Sequence, residues 1–296
     1  MLEQWTVGSP PGEPDPRPMS RQLQRALDPR TGQSTRRRLE RDLRAAVKDD
    51  GLVLYYQPRL ALASGGIVGA EALLRWPHPR QGLISPATFI PIAERTELVH
   101  DIARFVLCAA CTEAMQWPAS GQNVPPRVSV NISARQLADH VLLEQLSEAL
   151  EISRLPPERL ELEFAESMLV ETDLETLLTL SAIRDLGVGL TLDDFGTGHA
   201  SLSVLRRLPL TVLKIDRSLV RGLPADREDA AIVRAVVAIA HTLDLGVAAG
   251  GIETETQRAF LAGIGCDEGQ GFLFSHPQPA AALATRMLLV PGIIHS

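Results

Sequence analysis

The sequence has no apolar stretch long enough to cross a bilayer. A membrane-spanning helix needs about 18 or more consecutive apolar residues, and no run in the 296-residue chain approaches that length. The N-terminal segment MLEQWTVGSPPGEPDP also lacks the basic start and the long apolar stretch of a secretory signal. These absences predict a protein without a membrane span and with a cytoplasmic location.

Cysteine is scarce, with three residues in the whole chain. Cys108 and Cys111 lie one helical turn apart in FVLCAACTEAM, and Cys266 stands alone. A C-x-x-C pair occurs in redox sites and in zinc sites, but no second cysteine pair or histidine cluster accompanies it here. Because free cysteine packs like a small apolar side chain, we interpret Cys108 and Cys111 as buried helix positions.

Basic residues are also fewer than acidic residues. The formal net charge is −7 at pH 7, which argues against DNA or other nucleic acid as a partner. The one basic cluster, TRRRLERDLR, is followed by apolar residues that continue the helical spacing of Leu39, Leu43 and Ala46. This pattern predicts an amphipathic helix whose basic face is solvated. A partner or an anionic surface for that face is the alternative.

The composition divides the chain into two parts. Residues 1–34 are rich in Pro, Gly, Arg and Gln and predict a flexible leader. Residues 35–296 predict one barrel domain whose first helix covers about 35–49. Short apolar segments then alternate with amphipathic helices; the strand candidates are LVLYYQP, IVGAEALLRW, RVSVNIS, RLELEFAES, VGLTLDDF, VLKID, LGVAAG and QGFLFS. About eight such units favour a (β/α)8 barrel over an open doubly wound sheet.

Polar side chains recur at the C-terminal ends of these strand candidates. They are Gln57, Glu71, Arg75, Asn131, Glu163, Glu166, Asp193, Asp194, Lys214, Asp216, Glu253 and Gln270. In a parallel barrel all those strand ends meet at one face, where the active sites of this fold are built. Any one of these residues taken alone could be a helix cap or a surface charge. Their recurrence at nearly every strand predicts a polar site.

Four of these residues, Glu71, Glu163, Asp193 and Asp194, are carboxylates that would share one mouth. Carboxylates held close together repel one another unless a cation compensates them. Hard oxygen ligands without cysteine suit Mg²⁺ or Mn²⁺ better than Zn²⁺. In the Asp193–Asp194 pair, one carboxylate could bridge two metals while the other serves the second metal or the attacking water, because two cations about 4 Å apart form a clamp for attack at phosphorus. The alternative is that the pair caps the following helix.

Two further features accompany the aspartates. In the segment DDFGTGHASL, Gly196 and Gly198 permit a tight turn with backbone N–H groups directed inward. Lys214, in LKID, could bring a positive charge to a phosphate oxygen or a leaving group. The alternative for Lys214 alone is a surface charge at a strand end.

In order and spacing, the chain between Leu52 and Pro277 resembles the EAL domain of bacterial cyclic-di-GMP phosphodiesterases. The segments that carry the resemblance are YQP, EALLRWPHP, FIPIAE, VNIS, LELEFAES, LDDFGTG, LKID, GIET and GCDEGQGFLFSHP. The resemblance implies a modified TIM barrel, of α/β class, that hydrolyses cyclic-di-GMP to linear pGpG with two Mg²⁺ or Mn²⁺ ions.

The resemblance also implies roles for individual residues. The metal-ligand positions are Glu71, Asn131, Glu163, Asp193 and Asp194. Asp194 additionally matches the residue that activates the water, Lys214 matches the catalytic lysine, and Glu71 belongs to the catalytic set. Glu166 matches the residue that anchors the glycine loop. The ligand-contacting positions are Gln57, Arg75, Gln270 and Phe272; physically, Arg75 suits a phosphate or a guanine edge, and Phe272 offers a face for a purine.

One position departs from the family pattern. Where the family usually has A-E-G-V-E-T, this chain has AGGIET, so Glu253 and Thr254 match but Gly250 replaces the first glutamate. That glutamate supports the second metal, or the water and lysine beside it. Losing an acid–base group typically costs about 10²–10⁴ in rate. We therefore expect a slowed phosphodiesterase with a weakened second metal site.

Two alternatives remain at this point. The chain could be a catalytically degenerate cyclic-di-GMP receptor that acts through a protein partner, or an interaction module that has lost both tasks. Regulation is expected through the leader, the basic helix, a protein effector or sensor partner, or a homodimer, since many barrels of this family dimerise.

Overall fold

The computed structural model describes residues 32–118, 125–139, 141–171, 174–198 and 202–289. The predicted leader lies outside these residues as far as position 31, so its flexibility stays a prediction. The strands are β1 (Val53–Ala61), β2 (Ile67–His78), β3 (Gly82–Ile84), β4 (Arg127–Asn131), β5 (Leu160–Ala165), β6 (Gly189–Phe195), β7 (Val212–Ile215), β8 (Gly246–Ala249), β9 (Glu268–Gly269) and β10 (Gln278–Pro279).

The helices follow the strands along the chain in most places. They are α1 (Gly32–Lys48), α2 (Pro86–Ala93), α3 (Leu98–Met115), α4 (Ala134–Leu137), α5 (Val141–Ser153), α6 (Leu174–Asp185), α7 (Leu202–Leu205), α8 (Arg217–Arg221), α9 (Arg227–Thr242), α10 (Glu255–Gly263) and α11 (Ala280–Leu289), with 3₁₀ turns at Pro157–Arg159 and Glu166–Glu171. No helix within the described ranges is both long and apolar enough to span a bilayer.

Eight strands close into a barrel in the order β1, β2, β4, β5, β6, β7, β8, β9 and back to β1. The pairings from β2 to β9 are parallel. Strand β3 pairs with β2 and β10 with β1, outside the closed ring. The predicted modified TIM barrel is confirmed.

Strand β1 departs from a wholly parallel barrel, because it runs antiparallel to both β2 and β9. Only residues 62–66 connect β1 to β2. A connection this short permits an antiparallel pair, whereas a parallel pair needs a crossover of about a dozen residues or more. The argument that all strand ends meet at one face assumes parallel strands, so it does not apply to β1.

Alternation along the strands separates the two sides of the barrel wall. In β5, Leu160, Leu162 and Phe164 belong to the apolar core. Glu161 and Glu163, which alternate with them, form ion pairs with basic side chains inside the barrel. Successive strand residues point to opposite faces, which produces this period of two. The outer face thus packs the helices and the inner face carries charge.

Helix α9 illustrates how the outer helices are specified. Asp226 caps its start by accepting hydrogen bonds from the N–H groups of Glu228 and Asp229, at 2.8 and 3.1 Å. Its buried residues Val233, Val236, Val237 and Ala240 recur every three or four positions. This spacing turns one apolar stripe toward the barrel.

The first helix has the amphipathic character that its sequence predicts. Leu39 and Leu43 are buried, whereas Arg37, Arg41 and Arg44 are exposed. The helix begins at Gly32, a little before the predicted start, and contacts α2 and α3. The basic face is therefore on the outside of the barrel domain.

The cysteines are free thiols in apolar surroundings. Cys111 and Cys266 are buried and Cys108 is half-buried. Burial raises the pKa of Cys111 to about 12 and that of Cys266 to about 12. Both thiols are therefore protonated near neutral pH, as expected for packing residues.

The eighth barrel strand differs from its prediction. The candidate QGFLFS covers 270–275, but β9 consists of Glu268–Gly269, and the chain then turns at 271–274. A Cβ at Gly271 would lie 2.1 Å from the carbonyl oxygen of Ile252, and the N–H of Phe274 donates to the Gly271 carbonyl at 3.1 Å. This close approach and turn carry the chain out of the sheet, so the apolar run does not continue the strand.

Candidate active site

Lys214 lies at the centre of the acidic residues. Its Nζ donates to Glu71 Oε2 at 3.2 Å, to Glu163 Oε2 at 2.6 Å and to Asp193 Oδ2 at 3.1 Å. The lysine side chain is only 7% exposed. Three carboxylates from separate strands thus converge on one ammonium group.

The barrel brings these four residues together from distant parts of the chain. Asp193 lies on β6 opposite Ala165 of β5, and Lys214 lies on the next strand, β7. Glu71 lies in the middle of β2 rather than at its end, because β2 continues past the barrel to pair with β3. The prediction that Glu71 lies at the end of its strand was therefore wrong, although Glu71 does lie close to the other carboxylates as predicted.

A set of amides surrounds Glu71. The Nδ2 of Asn131 donates to Glu71 Oε1 at 2.6 Å, and the Nε2 of Gln270 donates to Glu71 Oε2 at 2.8 Å. Gln270 also donates to Gln57 Oε1 at 3.0 Å, and Gln57 donates to the carbonyl of Ser275 at 2.9 Å. Gln57 lies mid-strand on β1, directly opposite Glu71. The predicted ligand positions Gln57 and Gln270 thus adjoin the acidic cluster.

The paired aspartates occupy an irregularity in β6. The register between β6 and β7 shifts between Leu192 and Phe195, and Asp194 has a φ of +57°. Its N–H donates to Asp193 Oδ1 at 2.7 Å. The bulge explains how neighbouring residues of one strand escape strict alternation, and neither aspartate caps the following helix, α7, which begins at Leu202.

Burial and mutual repulsion shift the pKa values of both aspartates upward. Burial, opposed by Lys214 and reinforced by Glu163, raises the pKa of Asp193 well above its ordinary value. Burial and the neighbouring Asp216 raise the pKa of Asp194 to about 6. Despite the opposing effect of burial, the surrounding carboxylates raise the pKa of Lys214. The lysine is therefore an ammonium group, and the aspartates resist ionisation.

Counting the connected charges explains this resistance. Within the part of the chain that the structure describes, the ion-pair network contains five carboxyl groups and three cationic groups: Glu71, Glu161, Glu163, Asp193 and Glu268 against Arg59, Arg127 and Lys214. With every carboxyl group ionised, the network carries an excess of two negative charges. A further cation at the rim would relieve that excess.

Glu166 holds the glycine loop. Its Oε2 accepts hydrogen bonds from the N–H groups of Gly196 and Thr197, at 2.9 and 3.1 Å, and from the Thr197 hydroxyl at 3.3 Å. Gly196 has a φ of +107°, a region that favours glycine. A buried carboxylate thus anchors the loop that follows the aspartates, in the position that the sequence predicts.

Two other predicted ligand-contacting residues have different partners. Arg75 Nη1 donates to the carbonyl of Leu74 at 2.9 Å, and its guanidinium lies 5.8 Å from the centre of the Tyr55 ring. The ring of Phe272 stacks on His276 at a centroid distance of 4.1 Å. Their predicted contacts with a nucleotide stay predictions.

The two adjacent glycines after β8 differ in what they require. Gly251 has a φ of +71°, and a Cβ there would lie 2.5 Å from Arg217 Cβ. A Cβ at Gly250 would meet only ordinary contacts, 3.6 Å from the carbonyl oxygen of Ile215 and 3.9 Å from Lys214 Cε. The turn therefore needs glycine at 251 but not at 250, where a side chain would begin next to the lysine.

Glu253 does not take the place of the missing glutamate in this structure. Its side chain is exposed, and its N–H donates to Gln257 Oε1 at 2.8 Å in the capping arrangement of α10. The side chain of Thr254 completes that cap by accepting from the Gln257 N–H at 3.2 Å. The GIET segment thus forms the N-terminal cap of the helix.

Sequence reasoning missed the charged interior below the rim. Arg59 and Glu161 are both fully buried and paired with each other. Each lies two positions from a predicted site residue, Gln57 or Glu163, and therefore on the same face of its strand. A charge at such an inward position in an apolar strand is the signal that could have revealed this layer.

The donor set has the chemistry of a hard-cation site. The converging side chains are carboxylates and one amide. Their oxygen atoms are the kind of ligand that suits Mg²⁺ or Mn²⁺. As the side chains stand, no group of three or more His, Cys, Asp or Glu residues in the described ranges has the spacing of a metal site. The acids converge on the ammonium of Lys214 instead. The metal assignments stay predictions.

Fold and site together define a modified (β/α)8 barrel with an acidic, lysine-centred rim. The sequence model of the EAL domain matches residues 40–277. The chain belongs to the EAL domain family.

Individual relatives agree with this assignment. The chain is 44% identical over 242 residues to the bifunctional diguanylate cyclase/cyclic di-GMP phosphodiesterase MucR of Pseudomonas aeruginosa, covering 82% of this chain and 35% of that protein. It is 44% identical over 245 residues to the cyclic di-GMP phosphodiesterase NbdA of the same organism, covering 83% of this chain and 31% of that protein. The chain therefore spans about a third of the length of these curated relatives.

A solved structure is similar as well. The PaMucR phosphodiesterase in its c-di-GMP complex is 43% identical and superposes with a TM-score of 0.78, covering 83% of this chain and 99% of that one. The matched region is thus the barrel domain itself.

Proposed function

We propose that this chain binds cyclic-di-GMP and hydrolyses it to linear pGpG with Mg²⁺ or Mn²⁺, at a rate reduced by Gly250. The observation that carries the proposal is the acidic rim, where the three carboxyl groups of Glu71, Glu163 and Asp193 converge on the single ammonium group of Lys214. The relatives named as cyclic di-GMP phosphodiesterases support the substrate class, as does the relative solved with c-di-GMP.

The proposed cation ligands come from four strands. Glu71, Asn131, Glu163 and Asp193 would hold the first ion, and Asp193 and Asp194 the second. A bound divalent cation would stabilise negative charge on the phosphoryl oxygens and lower the pKa of water. The second ion is held more weakly, because Gly250 offers it no carboxylate.

Asp194 would accept a proton, and Lys214 would stabilise negative charge. The pKa of Asp194, raised to about 6 by burial and by Asp216, suits a general base, since a base works best with a pKa near the operating pH. It would take the proton of the water whose oxygen attacks phosphorus as the P–O3′ ester bond breaks. The Lys214 ammonium would stabilise the phosphate or the leaving oxygen.

Gly250 favours a second candidate, a receptor that binds cyclic-di-GMP without efficient cleavage and acts through a protein partner. Gln270 donates to both Gln57 and Glu71, so two of the proposed ligand-contacting side chains adjoin the acidic cluster even though position 250 has no side chain. Binding would then survive better than turnover. A homodimer and an effector or sensor protein stay predictions.

The two candidates are separated by measuring cleavage and binding together. The full chain is incubated with cyclic-di-GMP and Mn²⁺, pGpG is quantified by chromatography, and affinity is measured by calorimetry. We expect slow product formation that Glu71→Ala abolishes, with metal-dependent binding weakened as well. The control is Glu151→Ala, which removes an exposed carboxylate and should behave like the wild type.

Each other outcome is decisive. Binding without any product would favour the receptor. No binding by the wild type would overturn both candidates and leave only an interaction module. Unchanged metal-dependent binding in Glu71→Ala would contradict the metal assignment.

A further inference from the structure

We infer that Arg59, inside the barrel, is a positioning residue that orients Glu163 for cation binding at the rim; the inference rests on the proposed function. The side chain of Arg59 is completely buried, and its Nη1 lies 3.5 Å from Glu163 Oε1. The other oxygen, Oε2, accepts from Lys214 Nζ at 2.6 Å. One carboxylate oxygen of Glu163 therefore faces Arg59 inside the barrel, and the other faces Lys214 at the rim.

Arg59 is itself fixed by other charges. Its Nε lies 2.8 Å from Glu268 Oε2, and its Nη2 contacts Glu161. Arg127 closes the network from the far side, with Nη1 at 2.7 Å from Glu161 Oε1 and Nη2 against Glu268. The planar guanidinium thus lies among three carboxylates, which restricts its movement beside Glu163.

The barrel makes room for this network with two inward-facing glycines. A Cβ at Gly69 would lie 3.0 Å from the Arg127 carbonyl oxygen and 3.3 Å from Arg59 Nη2, and a Cβ at Gly189 would lie 2.7 Å from Glu161 Cγ. Side chains at these positions would press on the buried arginine and its principal carboxylate. The interior below the rim is thus shaped around Arg59 and not around an apolar packing layer.

The arrangement explains why Arg59 would act on the cation through Glu163. Without a cationic partner for Oε1, the Glu163 carboxylate would have Lys214 as its remaining ion-pair partner and could rotate both oxygens toward it. A ligand held in that way by the lysine is less available to a cation. Removing such an outer partner of a metal ligand typically lowers metal affinity by about 10–100-fold.

The chain offers a matched pair of arginines for the test. Arg59 and Arg127 both pair with Glu161 and Glu268, but of the two the ion pair to Glu163 is made by Arg59. We compare Arg59→Met, Arg59→Lys and Arg127→Met. The measurements are Mn²⁺ affinity by calorimetry with MnCl2, the pGpG rate as a function of Mn²⁺, and thermal unfolding.

We expect Arg59→Met to weaken Mn²⁺ binding by about tenfold or more, with the rate recovered in part by added Mn²⁺. Arg59→Lys should restore most of the affinity. Arg127→Met should lower the unfolding temperature while leaving Mn²⁺ affinity close to that of the wild type, because the ion pairs of Arg127 within the described residues are to Glu161 and Glu268. Equal weakening by both methionine variants would reduce Arg59 to a structural role and overturn the inference.

A second variant decides the question if Arg59→Met does not fold. Gly69→Ala changes no charge and adds one methyl group 3.0 Å from the Arg127 carbonyl oxygen and 3.3 Å from Arg59 Nη2, whereas Gly66→Ala adds a methyl group whose nearest neighbour is Ser64 Oγ at 3.5 Å. We expect weaker Mn²⁺ binding in Gly69→Ala alone, and equal affinities in these two variants would overturn the inference. If the wild type binds Mn²⁺ and the Arg59 and Gly69 variants bind it with the same affinity, the inference is overturned but the proposed function is not. A wild type without Mn²⁺ binding would overturn both.

Discussion

Replacing Gly250 with glutamate should accelerate hydrolysis with little effect on ligand binding. The backbone at 250 tolerates a side chain, because an added Cβ would lie no closer than 3.6 Å to its neighbours, and Lys214 Cε would be 3.9 Å away. A carboxylate built from this point can reach the lysine ammonium.

The expected rate gain follows from the charge. Opposite charges about 4 Å apart attract by about 4 kcal/mol at an effective dielectric constant of about 20, and a placed acid–base group contributes about 10²–10⁴ in rate, or roughly 3–5 kcal/mol. The new carboxylate would draw Lys214 away from Glu71, Glu163 and Asp193 and would support the second cation. We expect kcat to rise by at least about tenfold.

The assay compares kcat for pGpG formation and the Kd for cyclic-di-GMP in the wild type, Gly250→Glu and Gly250→Gln. The glutamine variant has the same size without the charge and isolates the electrostatic part of the effect. We expect the glutamate variant alone to be faster, with similar Kd values in all three proteins. If all three proteins had the same kcat, Gly250 would not limit the rate and the reasoning would be refuted.

Two further predictions concern the aspartates and the glycine loop. Because the pKa of Asp194 is raised to about 6 before a cation binds, falling pH protonates a carboxylate that the second ion needs. Binding of that ion, and with it hydrolysis, should therefore weaken below about pH 6. Asp216→Asn removes the second cause of the raised pKa and should move this decline to lower pH, and an unchanged pH–rate profile would contradict the assignment of Asp194. Glu166→Ala should release the Gly196 and Thr197 N–H groups, at a cost of about 1.5–3 kcal/mol for each hydrogen bond to a charged acceptor, which would lower kcat and the unfolding temperature together. Glu166→Gln keeps one acceptor oxygen and should lose less, whereas equal kcat in the wild type and both variants would show that the loop needs no anchor.

Much of the fold and the candidate site could be predicted from local sequence. The apolar periodicity locates seven of the eight barrel strands, and the motif segments locate Glu71, Asn131, Glu163 and Lys214, which the structure places in one hydrogen-bonded cluster. Local sequence does not locate β9, because the apolar run at 270–275 has the composition of a strand while the backbone turns against Ile252.

The sequence by itself determined which positions have carboxylate and amide side chains, and it revealed the glycine at position 250. Only the tertiary structure decided that β1 is antiparallel, that Lys214 lies among the carboxylates, and that Arg59 forms an ion pair with Glu163. The physical reason is distance along the chain: Lys214 and Glu71 are 143 positions apart. Spacing within a strand sets the direction of a side chain, but closure of the barrel sets its partners.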